Sequence, residues 1–223
     1  MTASYSKILA FGASTTWGWG SGSGGYSQAH GDYEGDSYPR QLAALSRWNV
    51  LNYGIVGDQV TAATAHDPAP CPVRFAAILA ANPDADAVLV WIGENDVSGG
   101  ATEAQIIDGY SQLIAAAHTA KTKIFMATLQ GANDSATAAK ELTRQQVNNW
   151  IRQDNGQDGC VEVEGATMGA SRQVMAPGYV ANGKTAFPQT GYPHLTPAGY
   201  AVVAETMYLA LLNPVCSLPQ VTY

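Results

Sequence analysis

The sequence predicts an α/β protein folded as a three-layer α/β/α sandwich around a five-stranded parallel sheet. Short apolar segments alternate along the chain with longer helix-like segments, which is the order of strands and covering helices in a parallel sheet. Several of the short segments are apolar throughout, as expected for strands that are covered on both faces. The length of 223 residues, of which 46% are hydrophobic and 13% charged, fits one domain with a substantial core.

The individual elements follow from this patterning. The predicted strands are residues 7–11, 50–53, 87–92, 123–128 and 160–163. The predicted helices are residues 38–47, 73–81, 102–120, 136–153 and 197–212. Pro197 in the first turn of the last helix, with Thr196 as its cap, fixes where that helix begins. His194 is therefore expected on a defined loop just before a helix.

The chain has no sign of a second domain. We expect a single domain over residues 1–223, with a core at about 7–212 and a short tail at 213–223. A glycine-rich, acidic insertion at 18–36 and an irregular stretch at 166–193 should rise from the carboxyl edge of the sheet, where open α/β folds bind ligands.

Charge and hydropathy exclude several kinds of partner. The net charge of −7 and the pI of about 4.9 would repel a phosphate backbone, so no nucleic-acid partner is expected. No apolar stretch reaches the roughly 18 residues that span a bilayer, and the first residues do not have the pattern of a signal peptide. We expect a soluble protein. The low lysine content, with many Gly, Ser and Thr, leaves open a secreted protein whose signal peptide is absent from this chain.

The three cysteines give two alternatives. Cys71, Cys160 and Cys216 cannot all pair within one chain, and none of them stands in a C-x-x-C motif. Either Cys160 and Cys216 form a single bridge, or all three thiols are reduced.

Three polar residues follow predicted strands or precede the last helix, and they indicate nucleophilic chemistry. Ser14 comes directly after the first strand, Asn95 follows the third, and His194 lies late in the chain. A serine needs a base to remove its proton and donors to stabilise the oxyanion, and these residue types supply both. As structural alternatives, Ser14 could cap a helix, and Gly57 and Asn95 could serve only in turns.

These residues lie in motifs that resemble those of the SGNH/GDSL hydrolase family. The matching segments are Gly12-Ala13-Ser14, the run from Asn52 to Gly57, Gly93-Glu94-Asn95-Asp96, and His194-Leu195-Thr196-Pro197, in the order that the family has them. The resemblance extends from about residue 7 to residue 212. The chain departs from the family at two positions: Ala13 replaces an Asp, and Gly191 stands where the triad Asp is usual.

The resemblance implies a flavodoxin-like SGNH hydrolase fold and a role for each matched residue. Ser14 would be the nucleophile and His194 the general base. The oxyanion hole would consist of the backbone N–H groups of Ser14 and Gly57 and the side-chain amide of Asn95. No cofactor is expected for this chemistry.

The group that orients His194 is not defined by the motif, because Gly191 has no side chain. In serine proteases the loss of the triad carboxylate lowers the rate by roughly 10⁴-fold. Three alternatives follow: a backbone carbonyl at or near Gly191 accepts the imidazole N–H, the carboxylate of Glu164 reaches the imidazole, or the site is degenerate. We favour the carbonyl, with Glu164 second.

The expected substrate is a small-molecule or carbohydrate ester with a short or acetyl acyl group. Aromatic residues near the predicted cleft suit a sugar or aryl face: Trp17, Trp19, Tyr26 and Tyr192. Two alternatives are an acyltransferase of the same fold and a non-catalytic carbohydrate-binding domain that has lost its triad acid.

Two further motifs are interpreted as loops. The glycines at 20–25 fit G-x-G-x-x-G but open no helix, so we do not expect a dinucleotide site. His30, Asp32, Glu34 and Asp36 alternate as cation ligands could, but Gly35 does not fit a calcium loop, and no metal is expected.

Overall fold

The computed structural model describes residues 5–19, 35–63, 67–131, 138–168, 175–180 and 194–222. Within these residues, five strands form one parallel sheet in the order β2-β1-β3-β4-β5. The strands are β1 (Lys7–Gly12), β2 (Asn49–Gly54), β3 (Ala87–Trp91), β4 (Lys123–Ala127) and β5 (Gly159–Val161). The predicted fold class and strand order are confirmed.

The helices of the described residues cover both faces of this sheet. They are α1 (Ser14–Trp17), α2 (Tyr38–Ser46), α3 (Cys71–Ala81), α4 (Glu94–Gly99), α5 (Glu103–Thr119), α6 (Ala138–Ile151), α7 (Val163–Thr167) and α8 (Pro197–Leu212). The crossover from β1 to β2 runs in the opposite direction to the three that follow. Because parallel crossovers are right-handed, α2 lies on one face and α3, α5 and α6 lie on the other. Helix α8 packs against α2 and completes its layer.

The short helices α1, α4 and α7 were not predicted. Each follows directly on a strand end, and each has six residues or fewer, too few to show a helical period. Val163, which the sequence analysis placed in the last strand, instead begins α7. The remaining predicted elements differ from the structure by a few residues at their ends.

The central strands explain the apolar runs of the sequence. Every residue of β3 is buried, and so is every residue of β1 after Lys7. Phe11 lies opposite Val90 in the register of β1 and β3, and its ring meets Phe75 of α3 edge to face at 4.9 Å. Helices on both faces therefore leave no solvent-exposed side in the middle of the sheet.

The C-terminal tail runs along the edge of the sheet. The N–H of Cys160 in β5 donates to the carbonyl of Val215 at 2.8 Å, and the N–H of Leu218 donates to the carbonyl of Arg152 at 2.7 Å. The tail thereby covers part of an edge strand that would otherwise be open to pairing.

All three cysteines are free thiols, with Cys71 and Cys160 buried and Cys216 exposed. Of the two alternatives drawn from the sequence, the structure has the reduced one. None of the described helices is long and apolar enough to cross a bilayer.

Candidate active site

The turn from β1 into α1 presents Ser14 at the carboxyl edge of the sheet. A side chain at Gly12 would meet the carbonyl oxygen of Trp91 at 2.1 Å, so the backbones of β1 and β3 approach closely here only because position 12 is glycine. Ala13 is the N-cap residue of α1 and is buried. Ser14 is the first residue of the helix and is not its cap, which removes the capping interpretation of this serine.

The serine hydroxyl is paired with the predicted base. His194 Nε2 lies 2.9 Å from Ser14 Oγ, although 180 residues separate the two along the chain. This distance is within the range for proton transfer between a nucleophile and a general base.

His194 is positioned by the start of α8. Thr196, two residues later, caps α8 by accepting a hydrogen bond from Gly199 N–H at 3.2 Å. The same hydroxyl donates to the carbonyl of Gly178 at 2.9 Å, and the backbone N–H of Thr196 donates to the carbonyl of Tyr179 at 2.9 Å. The predicted cap is confirmed, and these bonds fix the backbone that carries His194.

Burial controls the protonation of His194. Desolvation lowers the pKa of His194 to about 4, because the charged imidazolium is disfavoured away from water. The imidazole is therefore neutral at pH 7 and able to accept a proton. Trp19, which is 41% exposed, has its ring centroid 6.0 Å from the imidazole and 5.7 Å from the ring of Trp17, so an aromatic face borders the base.

The two residues that follow Gly57 are hydrogen-bonded to Asn95. Gly57 is exposed and has φ of +76°, a backbone conformation that favours glycine. The next residue, Asp58, accepts through its backbone carbonyl a hydrogen bond from Asn95 Nδ2 at 2.9 Å. In return, Gln59 Nε2 donates to the backbone carbonyl of Asn95 at 2.9 Å. An amide nitrogen carries two protons, so Asn95 can hold the loop and also donate to a ligand.

Asp96 anchors the same loop and was given no role by the sequence analysis. Its two carboxylate oxygens accept hydrogen bonds from Val60 N–H, Thr61 N–H and the Thr61 hydroxyl, at 2.9, 2.9 and 2.6 Å. The side chain of Asp96 is fully buried. The position of Asp96 directly after Asn95 in the motif is the sequence feature that could have identified it.

Glu164 lies in a cluster of buried charges. One of its carboxylate oxygens accepts a hydrogen bond from Arg144 Nη1 at 2.5 Å, and the other accepts one from Arg152 Nη2. All three side chains have no solvent exposure. Glu164 therefore has two buried arginine partners, which the sequence does not predict.

Several predicted site residues lie outside the described residues. They are Gly191, Tyr26, Tyr192, His30, Asp32, Glu34 and the glycines at 20–25. Whether the carbonyl of Gly191 orients His194 therefore stays a prediction. Across the described part of the chain, no group of three or more His, Cys, Asp or Glu side chains could hold a metal ion.

A serine hydroxyl hydrogen-bonded to a neutral imidazole, at the carboxyl edge of a parallel α/β sheet, is the arrangement of a serine hydrolase. Residues 10–202 match the model of the GDSL-like lipase/acylhydrolase family. The chain belongs to this family and is an ester hydrolase of the SGNH/GDSL type. A search of functionally curated proteins finds no significant match.

Solved structures with the same fold cover nearly the whole chain. An aryl esterase from M. smegmatis has 15% identity and a TM-score of 0.68, over 94% of this chain and 100% of the other. A carbohydrate acetylesterase family member from Sinorhizobium meliloti has 14% identity and a TM-score of 0.64, over 92% and 97%. A lipolytic protein of the G-D-S-L family from Veillonella parvula has 18% identity and a TM-score of 0.63, over 90% and 94%.

Proposed function

We propose that the protein hydrolyses short-chain or acetyl carboxylic esters through an acyl-serine intermediate. The observation that carries this proposal is the 2.9 Å contact between Ser14 Oγ and His194 Nε2. The aryl esterase and the carbohydrate acetylesterase family member with the same fold agree with it, but at 14–15% identity they support the fold alone.

Each step uses groups of this chain. Ser14 Oγ attacks the ester carbonyl carbon while His194 Nε2 takes the hydroxyl proton, giving a tetrahedral oxyanion. The N–H groups of Ser14 and Gly57 and the Asn95 amide stabilise that charge, each contributing about 3–4 kcal/mol. The imidazolium then protonates the leaving alcohol as the carbon–oxygen bond breaks. Water attacks the acyl-serine with the same base and releases the acid.

The alcohol side of the substrate is proposed to be a sugar or an aryl group. Trp19 lies beside His194 and is partly exposed, so its ring is available to stack on a flat ligand face. The acetyl ester of a carbohydrate combines such a face with a small acyl group. This part of the proposal applies to the present chain the carbohydrate acetylesterase activity for which the Sinorhizobium meliloti protein is named.

Hydrolysis and covalent labelling together test the proposal. The wild-type protein should hydrolyse p-nitrophenyl acetate and react with a fluorophosphonate at Ser14, and Ser14→Ala should lose both. Ser111→Ala is the matched control, because Ser111 is an exposed serine of α5 whose hydroxyl donates to the carbonyl of Ile107 in the same helix. Failure of the fluorophosphonate to label folded wild-type protein would favour the non-catalytic carbohydrate-binding alternative.

The acyltransferase alternative differs in the acceptor. An alcohol or sugar would intercept the acyl-enzyme in place of water, and the exposed aromatic ring of Trp19 is where such an acceptor could bind. Product analysis with an added alcohol distinguishes the two. A hydrolase releases mainly free acid, whereas a transferase releases mainly the new ester.

A further inference from the structure

A hydrogen-bonded link between the turn of Ser14 and helix α8 runs through the backbone of Trp19. The N–H of Trp19 donates to the carbonyl of Ser14 at 2.9 Å, so the chain turns back onto the proposed nucleophile after α1 ends. The carbonyl of Trp19 accepts a hydrogen bond from Tyr200 Oη at 2.8 Å, across 181 residues of sequence. Two hydrogen bonds therefore connect Ser14 to a side chain of α8.

Tyr200 and the proposed base belong to one short segment of the chain. Tyr200 lies in the first turn of α8, and its backbone N–H donates to the carbonyl of Thr196 at 3.0 Å. His194 lies just before Thr196, whose cap fixes this part of the backbone. A displacement of Tyr200 relative to α1 would therefore also displace the imidazole relative to Ser14.

Burial makes the hydroxyl of Tyr200 dependent on a protein partner. The residue has no solvent exposure, and a buried tyrosine hydroxyl normally finds a hydrogen-bond partner because it loses contact with water on folding. Its partner here is a backbone carbonyl in the segment after α1, outside α8. The bond therefore joins two elements that are distant in sequence.

Trp19 contacts the surroundings of both proposed reacting groups. Its backbone is bonded to Ser14, and its ring centroid lies 6.0 Å from that of the His194 imidazole. The 2.9 Å contact between hydroxyl and imidazole depends on how α1 and α8 are placed relative to each other. A misplacement of about 1 Å can lower a rate by about 10²-fold, so loss of this link should slow the reaction while every reacting group remains present.

We propose that Tyr200 is a positioning residue, whose hydroxyl holds Ser14 and His194 at their working distance through the backbone of Trp19. The inference rests on the proposed ester hydrolysis and adds to it a residue beyond the nucleophile, the base and the oxyanion hole. Tyr200 acts through the Trp19 backbone and not on the substrate.

Tyr200→Phe tests this role, because it removes the hydroxyl and keeps the buried ring. The active sites are titrated to completion with a fluorophosphonate, and kcat for p-nitrophenyl acetate is expressed per labelled site. This kcat should fall by about 10- to 100-fold with KM changed by less than about twofold, since the placement of the base acts on the transition state. The rate constant for labelling of Ser14 should fall as well, because the same base activates the hydroxyl.

Tyr208→Phe is the matched control. Tyr208 is a half-buried tyrosine of the same helix, and its ring centroid lies 5.4 Å from that of Trp48. This variant should keep the wild-type kcat per site and the wild-type labelling rate. Should Tyr200→Phe not fold, Tyr200→Met carries the same expectation, because methionine also lacks the hydroxyl and its flexible side chain fills irregular space in a core.

The outcomes separate the positioning role from a structural one and from the proposed function. A structural role alone would lower the urea midpoint and the number of active sites but leave kcat per site and the labelling rate unchanged, and that result would overturn the proposal. A rise in KM at unchanged kcat, or an equal fall of kcat in Tyr208→Phe, would overturn it too. If wild-type protein hydrolysed no p-nitrophenyl acetate and Ser14 stayed unlabelled, the ester hydrolysis on which the positioning role rests would itself be refuted.

Discussion

At the scale of single residues, the proposed reactivity of Ser14 depends on the protonation of His194. A base must be neutral to accept the serine proton, and the burial of His194 keeps it neutral to lower pH than an exposed histidine. The same burial has a cost for folding. Between the usual histidine pKa of about 6.5 and the folded value of about 4, the unfolded chain binds a proton that the folded chain does not, so His194 lowers stability as the pH falls.

The first prediction concerns the pH profile. The acidic limb of kcat/KM should have its midpoint near pH 4, whereas an unperturbed histidine would give about 6.5, since activity is lost only when His194 is protonated. The measurement is p-nitrophenyl acetate hydrolysis from pH 3.5 to 8. Circular dichroism at each pH distinguishes protonation from unfolding, and a midpoint near 6.5 in folded protein would contradict the prediction.

The second prediction concerns the oxyanion hole. Asn95→Ala should lower kcat by about 10²–10³-fold with little change in KM, because the amide acts on charge that develops in the transition state. Asn49→Ala is the control, as Asn49 is exposed at the start of β2. A KM effect with unchanged kcat would assign Asn95 to ground-state binding instead.

At the scale of secondary structure, the proposed reacting groups lie where elements begin. Ser14 opens α1, Asn95 lies in the first turn of α4, and His194 precedes α8 by two residues. Such positions are rigid, because a neighbouring strand or helix fixes the backbone. The precision of the site therefore depends on caps and turns as much as on the sheet.

The third prediction tests the cap of α8. Thr196→Ala should lower the free energy of unfolding by about 1 kcal/mol, since it removes the N-cap hydrogen bond, and should lower kcat because the loop of His194 loosens. Thr196→Ser keeps the hydroxyl and should retain both. Urea denaturation and steady-state kinetics provide the two measurements.

Thr119→Ala is the matched control for this prediction. Thr119 is exposed at the end of α5, and its hydroxyl donates to the carbonyl of Ala115 in the same helix. An equal loss of kcat in Thr119→Ala and Thr196→Ala would show that the cap has no particular role in placing the base.

The long elements were predictable from sequence, whereas the short ones were not. The buried strands are predicted by apolar runs, and the start of α8 is predicted by Thr196-Pro197. Both are local signals. Helix α4 has six residues, which are too few to show a helical period, so only its position after a strand indicates it. The motif predicted Ser14 and His194 as partners, but their 2.9 Å contact depends on the tertiary fold.

Glu94 and Glu164 are a clearer example of what cannot be predicted from sequence alone. Both are acidic residues near the carboxyl edge of the sheet, and the sequence gives no means of telling their surroundings apart. In the fold, Glu164 lies between two arginines, whereas the carboxylate of Glu94 faces the hydroxyl of Thr15. The difference comes from α6, which contains Arg144 and ends directly before Arg152.

At the scale of the whole molecule, a chain of charges joins α6 to the last strand and α7. Glu164 pairs with Arg144 and Arg152, which in turn pair with Glu141 at 2.5 Å and Glu162 at 2.7 Å. The central members are fully buried, so removing one charge leaves its partners unpaired in a medium of low dielectric.

The fourth prediction concerns this network. Glu164→Gln should lower the free energy of unfolding by about 3–5 kcal/mol, because two buried guanidinium groups lose their shared counter-charge. Glu103→Gln, at the start of α5, is the control. Denaturant unfolding measures the stability. The kcat of the folded variant tests the alternative in which the Glu164 carboxylate orients His194. A loss of about 10⁴-fold in kcat without a loss of stability would assign that role to Glu164.

The 180-residue separation between hydroxyl and imidazole has a consequence for biosynthesis. On the ribosome the strands that present Ser14 emerge long before α8, and the imidazole reaches the serine only after that helix has docked on α2. A nascent or truncated chain that ends before residue 194 therefore carries the proposed nucleophile without its proposed base, and we expect it to show no turnover. Appearance of ester cleavage during translation would accordingly time the closing event of folding.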